Sequence, residues 1–112
     1  MTSQSRKHRG YRTQKVVAEY LQANGFPYAE STGAGRSGTD VTGIVGVDIE
    51  VKARTGLDLP ALMRQMKDRA EDDILGIGVL RLNGQGENAA EYVAVLRFED
   101  LVMLLRDSRY YP

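Results

Sequence analysis

The segments Ser37-Gly38-Thr39-Asp40 and Asp48-Ile49-Glu50-Val51-Lys52-Ala53-Arg54 decide the fold that this sequence predicts. In a strand, side chains two residues apart point to the same face. The second segment therefore predicts a strand with one apolar face (Ile49, Val51, Ala53) and one charged face (Asp48, Glu50, Lys52, Arg54). Four charges on one face are unfavourable unless that face opens into a cleft or meets an ion. Asp40 comes just before the preceding strand, so we expect it to meet Glu50 across the hairpin.

The flanking segments predict an α/β fold around this hairpin. Apolar residues recur at helical spacing in three places, and short β-branched or apolar runs lie between them. The predicted elements are a helix over residues 11–24, strands over 26–31, 41–45 and 47–53, a helix over 57–72, strands over 74–82 and 92–97, and a helix over 98–106. Gly25 stands where a helix C-cap belongs. The predicted core face of the last helix consists of Leu101, Val102, Leu104 and Leu105.

Length and composition indicate one globular domain. A chain of 112 residues with 42% hydrophobic and 27% charged residues is ordinary for such a domain. We place the domain at residues 10–112, behind a flexible basic tail at residues 1–9. No apolar run approaches the roughly 20 residues that span a bilayer. We therefore expect no membrane association, no secretory signal and a cytoplasmic location, as for a nucleoid-associated protein or a viral protein acting inside its host cell.

The residue types present restrict the kind of metal site that the chain can form. Cysteine is absent and His8 is the single histidine, which excludes zinc–thiolate and histidine-rich sites. Oxygen must supply most of the ligands of any bound metal, and oxygen ligands favour magnesium or manganese. We therefore expect Mg²⁺ as the cofactor, with Mn²⁺ able to replace it.

Asp40, Glu50 and Lys52 provide a minimal set of groups for phosphodiester hydrolysis. Two carboxylates and a backbone carbonyl, for which Val51 is the candidate, supply hard oxygen ligands to a metal that polarises the phosphoryl group. An ammonium group beside them can orient the attacking water and offset developing charge. The alternative is a solvated edge hairpin on which Glu50 and Lys52 form a surface pair. The Ser37–Asp40 segment before the hairpin favours the catalytic interpretation.

Basic residues near the N-terminus indicate a polyanionic partner. Five of them precede the first acidic residue: Arg6, Lys7, Arg9, Arg12 and Lys15. Such a segment suits DNA, although a solvated helix or terminus has the same composition. Further candidate DNA contacts lie in the glycine-rich loop, after the charged strand and on the second helix: Arg36, Ser37, Arg54, Gln65 and Arg69. An exposed helix face is the alternative for the last two.

Residues 9–97 resemble the PD-(D/E)XK nuclease superfamily, and in particular the archaeal-type Holliday junction resolvases. The resemblance rests on the basic first helix ending in Asn24-Gly25-Phe26, the Ser37–Asp40 loop and the Glu50-Val51-Lys52 strand. It implies a restriction-endonuclease-like core, in which helices flank a central mixed sheet in the order α-β-β-β-α-β-β-α. It also implies that Asp40 and Glu50 bind the metal and that Lys52 is the catalytic lysine.

The first helix departs from the resolvase pattern, which places a glutamate about twelve residues before the aromatic residue that follows the glycine. That position is Gln14 here, and the one acidic residue of the helix is Glu19. Five residues at about 100° each separate the two side chains by roughly 140° around the helix. One of them can face the site, but not both. Gln14 has the matching register and Glu19 has the charge, so the sequence leaves both as candidates.

The sequence therefore predicts a metal-dependent endodeoxyribonuclease, and a Holliday junction resolvase of DNA recombination and repair as the specific hypothesis. A resolvase cuts two strands symmetrically, which requires a homodimer acting on a four-way junction. A nicking, flap or single-strand nuclease of the same fold is the nearest alternative, because substrate choice depends on geometry that no motif encodes. A DNA-binding module whose catalytic site has decayed is the alternative of another class.

Overall fold

The computed structural model describes residues 3–33, 39–53, 58–69 and 73–110, and it leaves out the side chains of residues 3–7 and 69. The elements are α1 (Ser3–Ala23), β1 (Glu30–Ser31), β2 (Val41–Thr42), β3 (Val47–Lys52), α2 (Leu59–Arg69), β4 (Leu75–Leu80), a 3₁₀ turn (Ala89–Glu91), β5 (Val93–Val95) and α3 (Phe98–Arg106). This order confirms the predicted α-β-β-β-α-β-β-α arrangement. None of the helices in the described part of the chain is long and apolar enough to cross a membrane.

The strands form one five-stranded mixed sheet in the order β1-β2-β3-β4-β5. β1, β2 and β3 pair in antiparallel fashion, α2 connects β3 to the parallel strand β4, and β5 lies antiparallel to β4 at the edge. A helix is the usual crossover between parallel neighbours, because a short turn cannot return the chain to the same end of the sheet. The charged strand β3 is therefore the centre of the sheet, with two strands on each side.

Most elements are shorter than the sequence-based boundaries; β2 ends at Thr42 and β5 covers Val93–Val95. The largest differences are at α1 and β1. α1 begins at Ser3, so the helix includes residues that we expected to form a flexible tail. No proline interrupts residues 3–10, and a helix continues through such polar residues when its later turns are packed. β1 is limited to Glu30–Ser31, because Phe26 and Ala29 form a turn (Ala29 N–H to Phe26 O, 3.0 Å) in place of the predicted start of the strand.

Two cores lie on opposite faces of the sheet. One contains Val17 and Ala18 of α1 with the apolar residues of β2 and β3, including Ile49 and Val51. The other contains Leu62 and Met66 of α2 with Leu80 of β4. Residues directly opposite in paired strands share a face. Glu50 pairs with Gly78 and Lys52 with Leu80, so the charged face of β3 is the face that α2 covers.

Gly78 lets α2 approach this charged face closely. A Cβ atom at Gly78 would lie 3.1 Å from Leu62 Cδ2 and 3.6 Å from Met66 Sδ. The absence of that atom gives Leu62 and Met66 the space in which they become buried. The position of α2 next to Glu50 thus depends on a glycine in the neighbouring strand.

The predicted core face of α3 is wrong. Among the residues that the structure describes, α3 buries none of its side chains. Leu101, Val102, Leu104 and Leu105 keep between 37% and 43% of their surface exposed. The physical reason is that α3 follows the short edge strand β5 and lies at the border of the sheet, where one side of the helix has no neighbouring element.

Candidate active site

Asp40 is held in position by hydrogen bonds on both sides of its backbone. Its N–H donates to Ile49 O (2.8 Å), and its carbonyl accepts from Thr32 N–H (3.0 Å). Val41 pairs with Ile49 in the antiparallel register of β2 and β3, and the backbone bond of Asp40 to the same Ile49 keeps Asp40 against β3. The Oδ2 atom of Asp40 accepts a hydrogen bond from Val51 N–H at 2.8 Å. The carboxylate therefore faces β3 at the level of Glu50 and Val51.

Thr39 holds the backbone directly before Asp40 against β3, a role that the sequence pattern did not indicate. Its Oγ1 accepts from Ile49 N–H at 2.9 Å and lies 2.9 Å from Val41 O and 3.1 Å from Ile49 O. A hydroxyl carries one proton and two lone pairs, so it can complete the backbone pairing where β2 has not yet begun. The signal in the sequence was the β-branched hydroxyl residue directly before the acid.

Glu50 is almost completely buried, with 4% of its surface exposed. Its Oε1 atom lies 3.1 Å from Lys52 Nζ and accepts a hydrogen bond from Gln65 Nε2 at 3.0 Å. Because an ionised carboxylate can only accept, Gln65 must present its amide nitrogen here. Burial of a charge is unfavourable unless it is paired and hydrogen-bonded. Lys52 and Gln65 both meet that requirement, which contradicts the solvated surface hairpin.

The two candidates on α1 lie in different surroundings. Gln14 shares a helix face with Ala18 and Leu21, which pack in the α1 core. Its Oε1 atom is buried and has no hydrogen-bond donor among the described residues. Glu19 is exposed and lines a shallow groove with Arg12, Tyr20 and residues 87–89. Asp40, Glu50 and Lys52 do not line this groove. Of the two candidates, Gln14 is therefore the one that lies on the sheet side of α1, and Glu19 lies on the outer side.

The donors of this region fit a magnesium ion. N–H and C=O of one residue point to the same edge of a strand, so the carbonyl of Val51 points to the side on which its N–H meets Asp40. Asp40 and Glu50 add carboxylate oxygens. Gln14 belongs to α1, which packs on the Ile49 and Val51 face of β3, whereas Glu50 lies on the face that α2 covers. Mg²⁺ is typically bound through one or two carboxylates and keeps several waters. Within the described ranges no group of three or more histidine, cysteine, aspartate or glutamate side chains could hold a metal, so neutral oxygens must complete the coordination.

The remaining predicted contacts are spread over the surface or lie outside the described residues. Lys15 is exposed, Arg9 is half-buried, and Arg12 pairs with Glu87 at 2.8 Å. Gln65, predicted as a DNA contact, instead binds Glu50. Predicted residues that the structure does not describe, or whose side chains it leaves out, are Arg6, Lys7, Arg36, Ser37, Arg54 and Arg69.

A cleft of about 410 Å³ is separate from these residues. It lies between α2, the start of β4 and α3, where Met63, Met66 and Met103 line it. Asp40, Glu50 and Lys52 are not among its lining residues. Although an apolar pocket is a usual first candidate for a ligand site, charge and hydrogen bonding make the β2–β3 hairpin the better candidate for chemistry.

Comparisons of the chain with protein-family models, with curated proteins and with solved structures find no match.

Proposed function

We propose that this protein is a metal-dependent endodeoxyribonuclease with a restriction-endonuclease-like core, and that Asp40, Glu50 and Lys52 form its active site. One observation carries the proposal. The Asp40 carboxylate accepts a hydrogen bond from Val51 N–H at 2.8 Å, and on either side of Val51 in β3 the Lys52 Nζ lies 3.1 Å from Oε1 of the buried Glu50. Two carboxylates and an ammonium group within one strand pair are the groups that metal-assisted phosphodiester hydrolysis needs.

The arrangement of the sheet supports the proposed core. Three antiparallel strands, a crossover helix and a parallel fourth strand follow α1, which is the order that the resemblance to PD-(D/E)XK nucleases implies. In that core the charged strand is central, and β3 occupies this position here. Gly78 opposite Glu50 adds a reason why a helix can pack over the charged face.

Each side chain has a distinct part in the proposed chemistry. Bound Mg²⁺ supplies polarisation of the scissile phosphoryl group and a lowered pKa for the attacking water. Asp40, Glu50 and the carbonyl of Val51 would hold the ion, whereas Gln14 packs with α1 on the other face of β3 and is not assigned a ligand. Lys52 orients the attacking water and offsets the charge that develops on the phosphate. Gln65 keeps the Glu50 carboxylate in one orientation through the bond to Oε1.

A plasmid-nicking assay with Mg²⁺ or Mn²⁺ tests the activity. We expect the wild-type chain to nick supercoiled DNA, and Glu50→Gln to lose the rate by orders of magnitude while still retarding DNA in a gel. Glu91→Gln, which also removes one carboxylate but from the exposed 3₁₀ turn, is the matched control. DNA retardation without cleavage by the wild-type chain would instead identify a binding module with a decayed site.

We further propose that the substrate is a branched DNA, with a four-way junction of recombination and repair as the specific candidate, and that the protein acts in the cytoplasm as a homodimer. α3 supports the dimer, because Leu101, Leu104 and Leu105 form an exposed apolar surface. The first turn of α3 carries Glu99 and Asp100, and its last turn carries Arg106. Two copies of α3 in antiparallel orientation would place acidic and basic ends against each other.

Two measurements separate the parts of this second proposal. Light scattering of the wild-type chain and of Leu104→Glu reports the dimer, which we expect to be lost in the variant. A gel comparison of four-way junction, flap, single-stranded and linear duplex substrates reports the substrate. Cleavage of all substrates by a monomer would contradict the resolvase assignment and leave the nuclease assignment in place.

A further inference from the structure

Arg81 lies directly beside the candidate active site, although the sequence did not mark it. It follows β4, and its N–H donates to Lys52 O at 2.9 Å. The parallel pairing of β3 and β4 thus continues one residue past Lys52 and sets Arg81 next to the proposed catalytic lysine in the neighbouring strand. Leu80, which pairs with Lys52, packs in the α2 core, whereas the Arg81 side chain contacts Thr13 of α1 and so projects to the other face of the sheet.

The Arg81 side chain is anchored by neutral groups. Its Nε donates to Gln85 O at 2.9 Å, and its Nη1 donates to Thr13 Oγ1 at 3.2 Å. Thr13 is completely buried, and its hydroxyl donates to Arg9 O at 2.7 Å. A guanidinium has five N–H donors, and these two bonds leave the others for a further acceptor. The planar group is therefore held in one orientation before any ligand arrives.

Arg9 provides a second guanidinium in the same region. It lies one helical turn before Thr13 and is half-buried, and its Nε atom has no acceptor among the described residues. Tyr92 shows that the two arginines share one environment. Burial raises the pKa of the Tyr92 hydroxyl, while the positive charges of Arg81 and Arg9 both act on it in the opposite direction.

The described residues include no carboxylate that forms an ion pair with Arg9 or Arg81. Glu87, whose charge raises the pKa of Tyr92 while Arg81 and Arg9 lower it, pairs with Arg12 at 2.8 Å. Burying two positive charges without a counterion costs free energy because they lose hydration. A bound anion with several oxygen acceptors offsets this cost through charge-assisted hydrogen bonds. A phosphate group matches the geometry of guanidinium donors.

We propose that Arg9 and Arg81 together bind one backbone phosphate of the DNA strand that passes the active site. This inference rests on the proposed nuclease function and extends it by a positioning contact. Phosphate contacts fix the register of a nucleic acid on a protein without reading its sequence. Arg81 and Lys52 end neighbouring strands, although their side chains project to opposite faces of the sheet. The contact therefore fixes the register of the DNA at the edge of the sheet where β3 and β4 end.

The salt dependence of DNA binding tests the proposal. Binding of labelled four-way junction and linear duplex is measured by anisotropy over a series of KCl concentrations, with EDTA to prevent cleavage. Each lost contact with a duplex phosphate should lower the slope of log K against log salt by about 0.9. We expect this for Arg9→Gln and for Arg81→Gln. Arg64→Gln, which removes the same charge from an exposed position of α2, should keep the wild-type slope.

A conservative variant separates charge from folding. Arg81→Lys keeps the positive charge and should keep the slope, whereas a merely structural role predicts the same loss in Arg81→Lys and Arg81→Gln. Unchanged slopes in Arg9→Gln and Arg81→Gln would overturn the proposal. These measurements need no cleavage. If the wild-type chain proves catalytically inactive, the proposed nuclease function is refuted, but the salt slopes still show whether Arg9 and Arg81 contact a phosphate.

Competition with inorganic phosphate distinguishes a phosphate of the DNA backbone from a free phosphate compound as the ligand of the two arginines. If the arginines serve a DNA phosphate, the free ion should compete with DNA for the wild-type chain more strongly than chloride of equal ionic strength. This difference should disappear in Arg81→Gln. Thermal stabilisation by inorganic phosphate combined with unchanged DNA slopes would assign the pair to a free phosphate compound and contradict the DNA contact.

Discussion

Gly43→Ala should destabilise this protein far more than a glycine substitution of the same backbone type elsewhere. Gly43 follows β2, the strand that begins next to Asp40, and has a φ of 94°. A Cβ atom there would lie 1.9 Å from the backbone oxygen of Tyr28 and 2.5 Å from its carbonyl carbon. Gly84 has a similar φ of 88° and nothing within 4 Å of such an atom. The two positions therefore differ in steric contact alone.

The expected magnitudes follow from this difference. The left-handed conformation costs a non-glycine residue about 1–2 kcal/mol, and this cost applies to Gly84→Ala and Gly43→Ala alike. At Gly43 the Cβ–oxygen distance must also grow from 1.9 Å to at least 3.0 Å, which requires the backbone of residue 28 or of β2 to move. Overpacking against movable side chains costs about 1–3 kcal/mol. Since backbone moves less easily, we expect Gly43→Ala to cost about 3 kcal/mol or more in total.

Urea unfolding followed by circular dichroism measures both variants. A small domain has a free energy of unfolding of about 5–15 kcal/mol, so Gly43→Ala should show a clearly lower midpoint than Gly84→Ala. Plasmid nicking by Gly43→Ala should fall as well, because a displaced β2 moves Asp40. If the unfolding free energies of the two variants agree within about 0.5 kcal/mol, the close approach of β1 and β2 at this point is refuted.

Two further changes test individual contacts. Gln65→Met, of similar volume, removes the donor to Glu50 Oε1 and should lower the cleavage rate about tenfold with unchanged DNA affinity, whereas Asp68→Asn on the exposed face of α2 should keep both. The pKa of Tyr92 is raised by burial, so the folded state retains this proton where the unfolded chain loses it. The contribution of the protonated Tyr92 hydroxyl to the free energy of unfolding is complete below about pH 10, and it is lost as the pH rises through the pKa of Tyr92 in the folded state. Urea unfolding across this range should show a smaller loss for Tyr92→Phe, and an equal loss would contradict the assignment.

The local pattern of the sequence determined the hairpin and the two faces of its central strand. Alternation of charged and apolar residues from Asp48 to Lys52 defines two faces, and both the strand and its pairing with the segment after Asp40 agree with the structure. The final helix also begins and ends where its sequence predicted, at Phe98 and Arg106. The periodicity of apolar residues and the turn residues each act over a few positions of the chain. A single sequence therefore contains enough information to place such elements.

The tertiary structure alone decided which distant groups meet. Gln14 and Glu19 were equivalent candidates until the packing of α1 on the sheet turned Gln14 inward and left Glu19 exposed. Arg81 carried no motif, and its place beside Lys52 follows from the parallel register of β3 and β4. The apolar face of α3 looked like core, yet the edge position of β5 leaves it uncovered. The positions of Gln14, of Arg81 and of the apolar face of α3 all depend on how elements far apart in the chain are oriented. Helical or strand periodicity does not encode that orientation.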